Sequence, residues 1–202
     1  MRNGALPHTG ALNPSEFCEF WEKLFKESDD PILHICMGSG ISSTVQNIII
    51  AQEMFENDHP GKKIYVIDSK ACSGMYGMMA VIASDMRDNG KTIEETIEYI
   101  EENKNKINAF YTTNELKWFY LGGRINKLAF TFAKAMNIWP IMTIDENGKL
   151  LGLEKIRGKQ ADYDRLVAIT KERVINPKKQ TLYFCHSDIP EEADEMAKRL
   201  VK

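Results

Sequence analysis

The sequence predicts an α/β fold: a largely parallel sheet flanked by helices, with a smaller second lobe containing a β-hairpin. Three observations predict it. Short apolar runs at residues 32–37 and 62–69 alternate with longer stretches of helical spacing, the pattern of parallel strands joined by crossover helices. Farther along, two apolar runs flank Asp145-Glu146-Asn147-Gly148, and Asn-Gly is a strong hairpin turn signal. With 202 residues, 43% of them hydrophobic, the chain can build a real core, as one large domain or two small ones. The expected domain is 1–202, with a central parallel α/β lobe over 1–112 and a helix-plus-hairpin lobe over 113–202.

The elements follow in order. Residues 1–13 are rich in Gly, Pro and Asn and read as an irregular lead-in. Pro14-Ser15-Glu16-Phe17 opens a helix on which Phe17, Phe20, Trp21, Leu24 and Phe25 keep helical spacing. Asp29-Asp30-Pro31 breaks it before the strand at 32–37, and a helix follows over 45–55. Asn57-Asp58-His59-Pro60-Gly61 is a turn into the strand at 62–69. A Met-, Gly- and Ala-rich helix covers about 73–89. Its methionines serve either as core filling or as an adaptable apolar wall.

Thr92-Ile93-Glu94-Glu95 is a capping box. The helix it opens carries Ile93, Ile97 and Ile100 on one face and a charged run, read as solvated, on the other. A short strand is expected at 109–113 and an apolar helical segment at 114–125, ended by Gly122-Gly123. Another helix is expected at 128–136, then the hairpin strands at 139–144 and 149–154. A helix ending near 175, a last strand at 181–185 and a final amphipathic helix capped by Asp188 complete the chain.

Composition excludes several classes of function. A net charge of -3 and a pI near 5.9 lack the concentrated basic face of a nucleic-acid-binding protein. No apolar stretch reaches the length of a membrane span, and cytoplasm is the expected location. The four cysteines (Cys18, Cys36, Cys72, Cys185) form no C-x-x-C pair and read as reduced, buried hydrophobes. The four histidines are equally scattered, so no metal site and no cofactor are expected.

Chemistry concentrates at residues 38–46. An apolar strand enters a turn of two glycines and four hydroxyl residues, and a helix leaves it. Backbone N–H groups without intrahelical partners, together with the helix dipole, make such a turn an anion site, and a Ser-capped βα turn without a ligand is the alternative. Asp68-Ser69 ends the next strand, on the edge where open parallel sheets collect ligands. Arg124 directly follows Gly122-Gly123. A guanidinium there can reach an oxyanion, or act only as a cation at the helix end.

Catalytic templates fit poorly. Gly38-Ser39-Gly40 lacks the G-x-S-x-G frame of a nucleophile elbow. No Lys follows it as in a phosphate loop, and the third glycine of a dinucleotide loop is absent. The pattern suits holding an anion more than transforming it.

In sequence order, the motifs resemble the DegV family of fatty-acid-binding proteins, which includes the acyl-carrier subunit of bacterial fatty acid kinase. Gly38 to Gln46 reads G-S-G-I-S-S-T-V-Q against the family's S-S-G-L-S-G-T-Y-Q. Val66-Ile67-Asp68-Ser69 through Ser73 to Gly77 resembles its V-x-D-S…S-x-G-x-G, with Met75 in place of the first glycine. Leu116 through Leu121-Gly122-Gly123-Arg124-Ile125 resembles L-x-x-L-x-x-G-G-R-I. Pro140-Ile141, Gly148 and Lys155-Ile156-Arg157 echo k-P-I-l…G…k-x-R, and Pro7-His8-Thr9-Gly10 weakly echoes P-x-T-S. The family's N-terminal strand region and C-terminal end have no counterpart, and Gly10 and Gly38 each stand where the family carries a serine.

The resemblance implies a non-catalytic bacterial carrier in phospholipid metabolism. It would bind a palmitate-like long-chain fatty acid and present it to a separate ATP-dependent fatty acid kinase. The carboxylate would lie at Thr9, Ser39, Gly40, Ser42 and Arg124, supported by Asp68, Ser69, Gly122 and Gly123, with Arg157 docking the kinase. Burying about a dozen methylenes contributes on the order of 10 kcal/mol against about 1.5–3 per charged hydrogen bond, so the tail would set affinity and the loop orientation. The alternatives are a small-molecule hydrolase or phosphotransferase using Asp68 and Ser42, and a fragment with a structural role only.

Overall fold

The computed structural model describes residues 6, 8–127, 130–131 and 137–201. Pro7 and most of the helix expected at 128–136 lie outside the described residues.

Helix α1 (Pro14–Phe25) starts at Asn13. The Asn13 carboxamide oxygen accepts from Glu16 N–H, and the Glu16 carboxylate accepts from Asn13 N–H, a capping box that the Pro14 signal had overshadowed. Strand β1 (Ile32–Cys36), helix α2 (Thr44–Asp58) and strand β2 (Ile64–Asp68) form a β-α-β unit. The strands pair in parallel from Ile32 opposite Ile64 to Cys36 opposite Asp68.

Period-2 alternation sends the strand side chains to two cores. Ile64 and Cys36 join Phe17, Trp21, Val45, Ile48, Ala51 and Phe55 beneath α1 and α2. The Trp21 indole N–H donates to His34 Nδ1 at 3.2 Å, and burial lowers the His34 pKa, so the ring stays a neutral acceptor. On the other face, Ile67 meets Ala71, Met75, Met79 and Ile100 beneath α3 (Gly74–Asp88) and α4 (Ile93–Asn103). Two of the α3 methionines therefore fill core.

The α/β class is as expected, but among the described residues parallel pairing is confined to β1 and β2. Strand β3 (Tyr111–Thr112) does not extend that sheet; it pairs antiparallel with β4 (Ile138–Ile144), Tyr111 facing Met142. After the short helix α5 (Lys117–Leu121), β4 and β5 (Leu150–Arg157) form the expected hairpin, with a register shift at Ile141/Met142. Helix α6 (Lys159–Arg173) covers this sheet through Ile141, Tyr163 and Leu166, and α7 (Pro190–Leu200) packs on α6.

Four local expectations are corrected. Residues 181–185 are not a strand: Leu182, Tyr183 and Phe184 are exposed, and β-propensity without a pairing edge forms no ladder. Asp188, at φ 64, does not cap α7, because Ile189 occupies the cap position with no side-chain cap bond. Cys185 is exposed, unlike the buried Cys36. The charged run after Ile100 is not wholly solvated, since Lys104 is 9% exposed. Its ammonium donates to the Asp68 carbonyl at 2.9 Å and pairs with Glu101 at 2.7 Å.

Candidate functional site

The site forms where β1 and β2 end side by side. Beyond Cys36 the chain turns through Gly38, whose N–H donates to the Ala71 carbonyl at 2.7 Å; Ser69 N–H donates back to Cys36 O at 3.4 Å. Two strand exits are thereby laced into one ledge.

Asp68 organises it. Its Oδ2 accepts from Ser39 Oγ at 2.6 Å, and its Oδ1 accepts from the N–H groups of Ser39 and Lys70, each at 3.0 Å. Partial burial works to raise this carboxyl, but it is outweighed by the Ser39 hydroxyl, the two N–H donors and the Lys104 charge. Asp68 therefore sits below the usual carboxylate range. Both oxygens being engaged, it holds the loop as an acceptor. The buried Ser69 hydroxyl closes the next turn, accepting from Ala71 N–H at 3.1 Å.

Ser42 lies at the entry to α2. Its hydroxyl exchanges a 2.7 Å hydrogen bond with Thr44 Oγ1 and accepts from Thr44 N–H at 3.3 Å, taking up a donor of the first turn. Asp68 is thus partnered with Ser39, and Ser42 with Thr44.

Glycines let three backbones meet here. A Cβ built on Gly38 would lie 2.6 Å from Lys70 C and Ala71 N, and one on Gly40 would lie 2.4 Å from Gly148 C. The tip of the β4–β5 hairpin, about 100 residues away in sequence, therefore rests directly on the 38–42 loop. Serine at position 38 has no room in this arrangement, a physical reason for Gly38.

Arg124 reaches the same loop from the end of α5. One terminal nitrogen donates to the Ile41 carbonyl at 3.1 Å, and the other donates to Gly122 O. Gly123 supplies the positive φ, 75°, that lets the chain double back. Gly40, Ile41, Gly122, Gly123, Arg124, Lys149 and Leu150 line a cleft of about 370 Å³. Leu150 also packs on an apolar cluster of Leu116, Met142, Phe119 and Phe130.

Of the residues singled out from sequence, the fold gathers Ser39, Gly40, Asp68, Ser69, Gly122, Gly123 and Arg124, with Ser42 at the adjoining helix start. Thr9 is exposed on the irregular lead-in, which the Asn47 side chain ties to α2 by donating to Leu12 O at 2.7 Å. Arg157 is exposed at the far end of β5 from the turn, roughly 25 Å along the strand from Lys149. Sequence reasoning missed Lys104 and Lys149. No periodicity separates them from surface lysines, and only tertiary contact sets them apart. Among the described residues, no group of three or more His, Cys, Asp or Glu side chains could hold a metal ion, and no helix is long and apolar enough to cross a membrane.

This combination of a β-α-β unit, a glycine-laced loop and a small antiparallel sheet defines an α/β protein with a loop-lined cleft where its parallel strands end. Residues 1–202 match the family described as "Uncharacterised protein, DegV family", and the chain belongs to the DegV family. It is 30% identical over 200 residues to a DegV domain-containing protein of Clostridium perfringens, covering 99% of this chain and 68% of that one. Among solved structures it resembles the fatty acid binding DegV family protein SAG1342 of Streptococcus agalactiae (25% identity, TM-score 0.79, covering 98% of this chain and 68% of that chain). It also resembles the Fatty Acid Kinase B3 protein of Streptococcus pneumoniae loaded with linoleic acid (26% identity, TM-score 0.68, covering 79% and 57%).

Proposed function

We propose that the protein binds a long-chain fatty acid non-catalytically, with its carboxylate at the 38–42 loop, and presents that carboxylate to a separate fatty acid kinase that uses ATP. The observation that carries this reading is the cleft itself. Its rim holds Gly40, Arg124 and Lys149, while its Leu150 wall continues into the cluster of Leu116, Met142, Phe119 and Phe130. A polar, cationic mouth leading to an apolar cluster suits an amphiphile with one anionic end.

The fatty acids named for the Streptococcus agalactiae and Streptococcus pneumoniae proteins support the ligand class, and the kinase named for the latter supports the partner. Asp68, low-lying and fully engaged, suits a scaffold better than a general base. Thr9 would complete the head-group contacts from the lead-in, and Arg157 would dock the kinase away from the cleft.

The double variant Ser39→Ala, Arg124→Ala tests the head-group assignment. Fatty-acid loading measured by native mass spectrometry should fall at least tenfold, and undiminished loading would remove these residues from the site. Acyl-phosphate formation from ATP by the purified protein alone would replace the carrier reading with an enzyme.

A further inference from the structure

We infer that Lys149 is the residue that makes the cleft select an ionised head group over a neutral one of the same chain length. This rests on the fatty-acid reading above.

Two cations reach the cleft, and their situations differ. Arg124 directs both terminal nitrogens at backbone carbonyls, Ile41 O and Gly122 O. Its guanidinium is thereby committed to shaping the loop. The Lys149 ammonium has no hydrogen-bond or ion-pair partner among the described residues, although Lys149 is one of the residues lining the same cleft.

Lys149 is also held firmly by its backbone. Asp145 Oδ1 accepts from the N–H groups of Asn147 at 2.9 Å and Lys149 at 2.8 Å, and Asp145 N–H donates to Lys149 O at 2.9 Å. Of the two carboxylates in the turn, Asp145 thus spends an oxygen on the backbone, and neither Asp145 nor Glu146 forms an ion pair with Lys149. Gly148, at φ 77, seats the turn against Lys70, and Gly40 seats it against the loop, so the residue before Lys149 is held against Gly40. A hydrated point charge on a flexible stem, anchored by a rigid turn, attracts a carboxylate without imposing a bidentate geometry.

The division of labour follows. Arg124 keeps the cleft formed whatever occupies it, and Lys149 senses the charge of the occupant.

Native mass spectrometry of the protein offered an equimolar mixture of palmitic acid and 1-hexadecanol tests this. The unmodified protein should take up the acid at least tenfold over the alcohol. Lys149→Met should cut that ratio about tenfold with an unchanged thermal midpoint, Lys149→Arg should preserve it, and Arg124→Met should lower uptake of both ligands alike. A ratio unaltered in Lys149→Met, or equal uptake of acid and alcohol by the unmodified protein, would overturn the inference and leave fatty-acid binding standing. Uptake of neither ligand would overturn both.

Discussion

Ser39 and Asp68 lock the ends of two neighbouring parallel strands together. The Ser39 hydroxyl and N–H both donate to the Asp68 carboxylate, at 2.6 and 3.0 Å. The pair converts a flexible glycine turn into a fixed ledge between the two strand ends.

Removing Asp68 should therefore loosen the loop before it affects the cores. Asp68→Ala should lower stability by about 1–2 kcal/mol in urea denaturation, a value kept modest by the partial exposure of the pair. In a double-mutant cycle with Ser39→Ala the losses should be less than additive. Because the folded carboxyl lies below its ordinary 3.8, its contribution is present above that pH and is lost as pH falls through the folded value.

The two glycines Gly10 and Gly38 should behave oppositely when changed to serine. Gly38→Ser drives a side chain into the Lys70–Ala71 backbone and should cost roughly 1–3 kcal/mol or more. Gly10 has open space around it, so Gly10→Ser should shift stability by less than about 0.5 kcal/mol. Thermal unfolding of the two variants side by side checks the contrast.

Asp162 predicts a pH dependence of opposite sign to Asp68. Fully buried in α6, it accepts from Thr112 Oγ1 at 2.7 Å through one oxygen, while its other oxygen has no hydrogen-bond partner. Burial raises it from 3.8 to about 6, against the lowering effect of Thr112. A carboxyl raised in the folded state stabilises fully below about pH 4 and loses that contribution as pH rises through about 6. Asp162→Asn should match the unmodified protein near pH 4 and exceed it by about 1–3 kcal/mol at pH 8. Parallel stability curves for the two proteins would remove the raised carboxyl.

Local signals in the chain carried most of the architecture. The Thr92–Glu95 box, the Asn147-Gly148 turn and the alternation around 32–69 each depend on neighbours within a few residues, and each forms as read. The candidate loop was legible for the same reason, since Gly and Ser between an apolar strand and a helix specify a tight βα turn. What stayed hidden depends on distant partners. Nothing near Gly40 indicates that Gly148 will rest against it, nothing near Lys104 points to the Asp68 carbonyl, and the strand-like 181–185 segment finds no ladder. The pairing of β3 with β4 likewise reflects competition between sheet edges, which local periodicity does not record.

The central claim is that the cleft beside Gly40 and Arg124 receives the carboxyl end of a fatty acid. The most direct measurement is the native mass of the purified, unmodified protein before and after incubation with palmitic acid. The account predicts a single bound acyl chain per protein, lost in Ser39→Ala, Arg124→Ala. A mass that stays that of the bare polypeptide at saturating palmitic acid would contradict it.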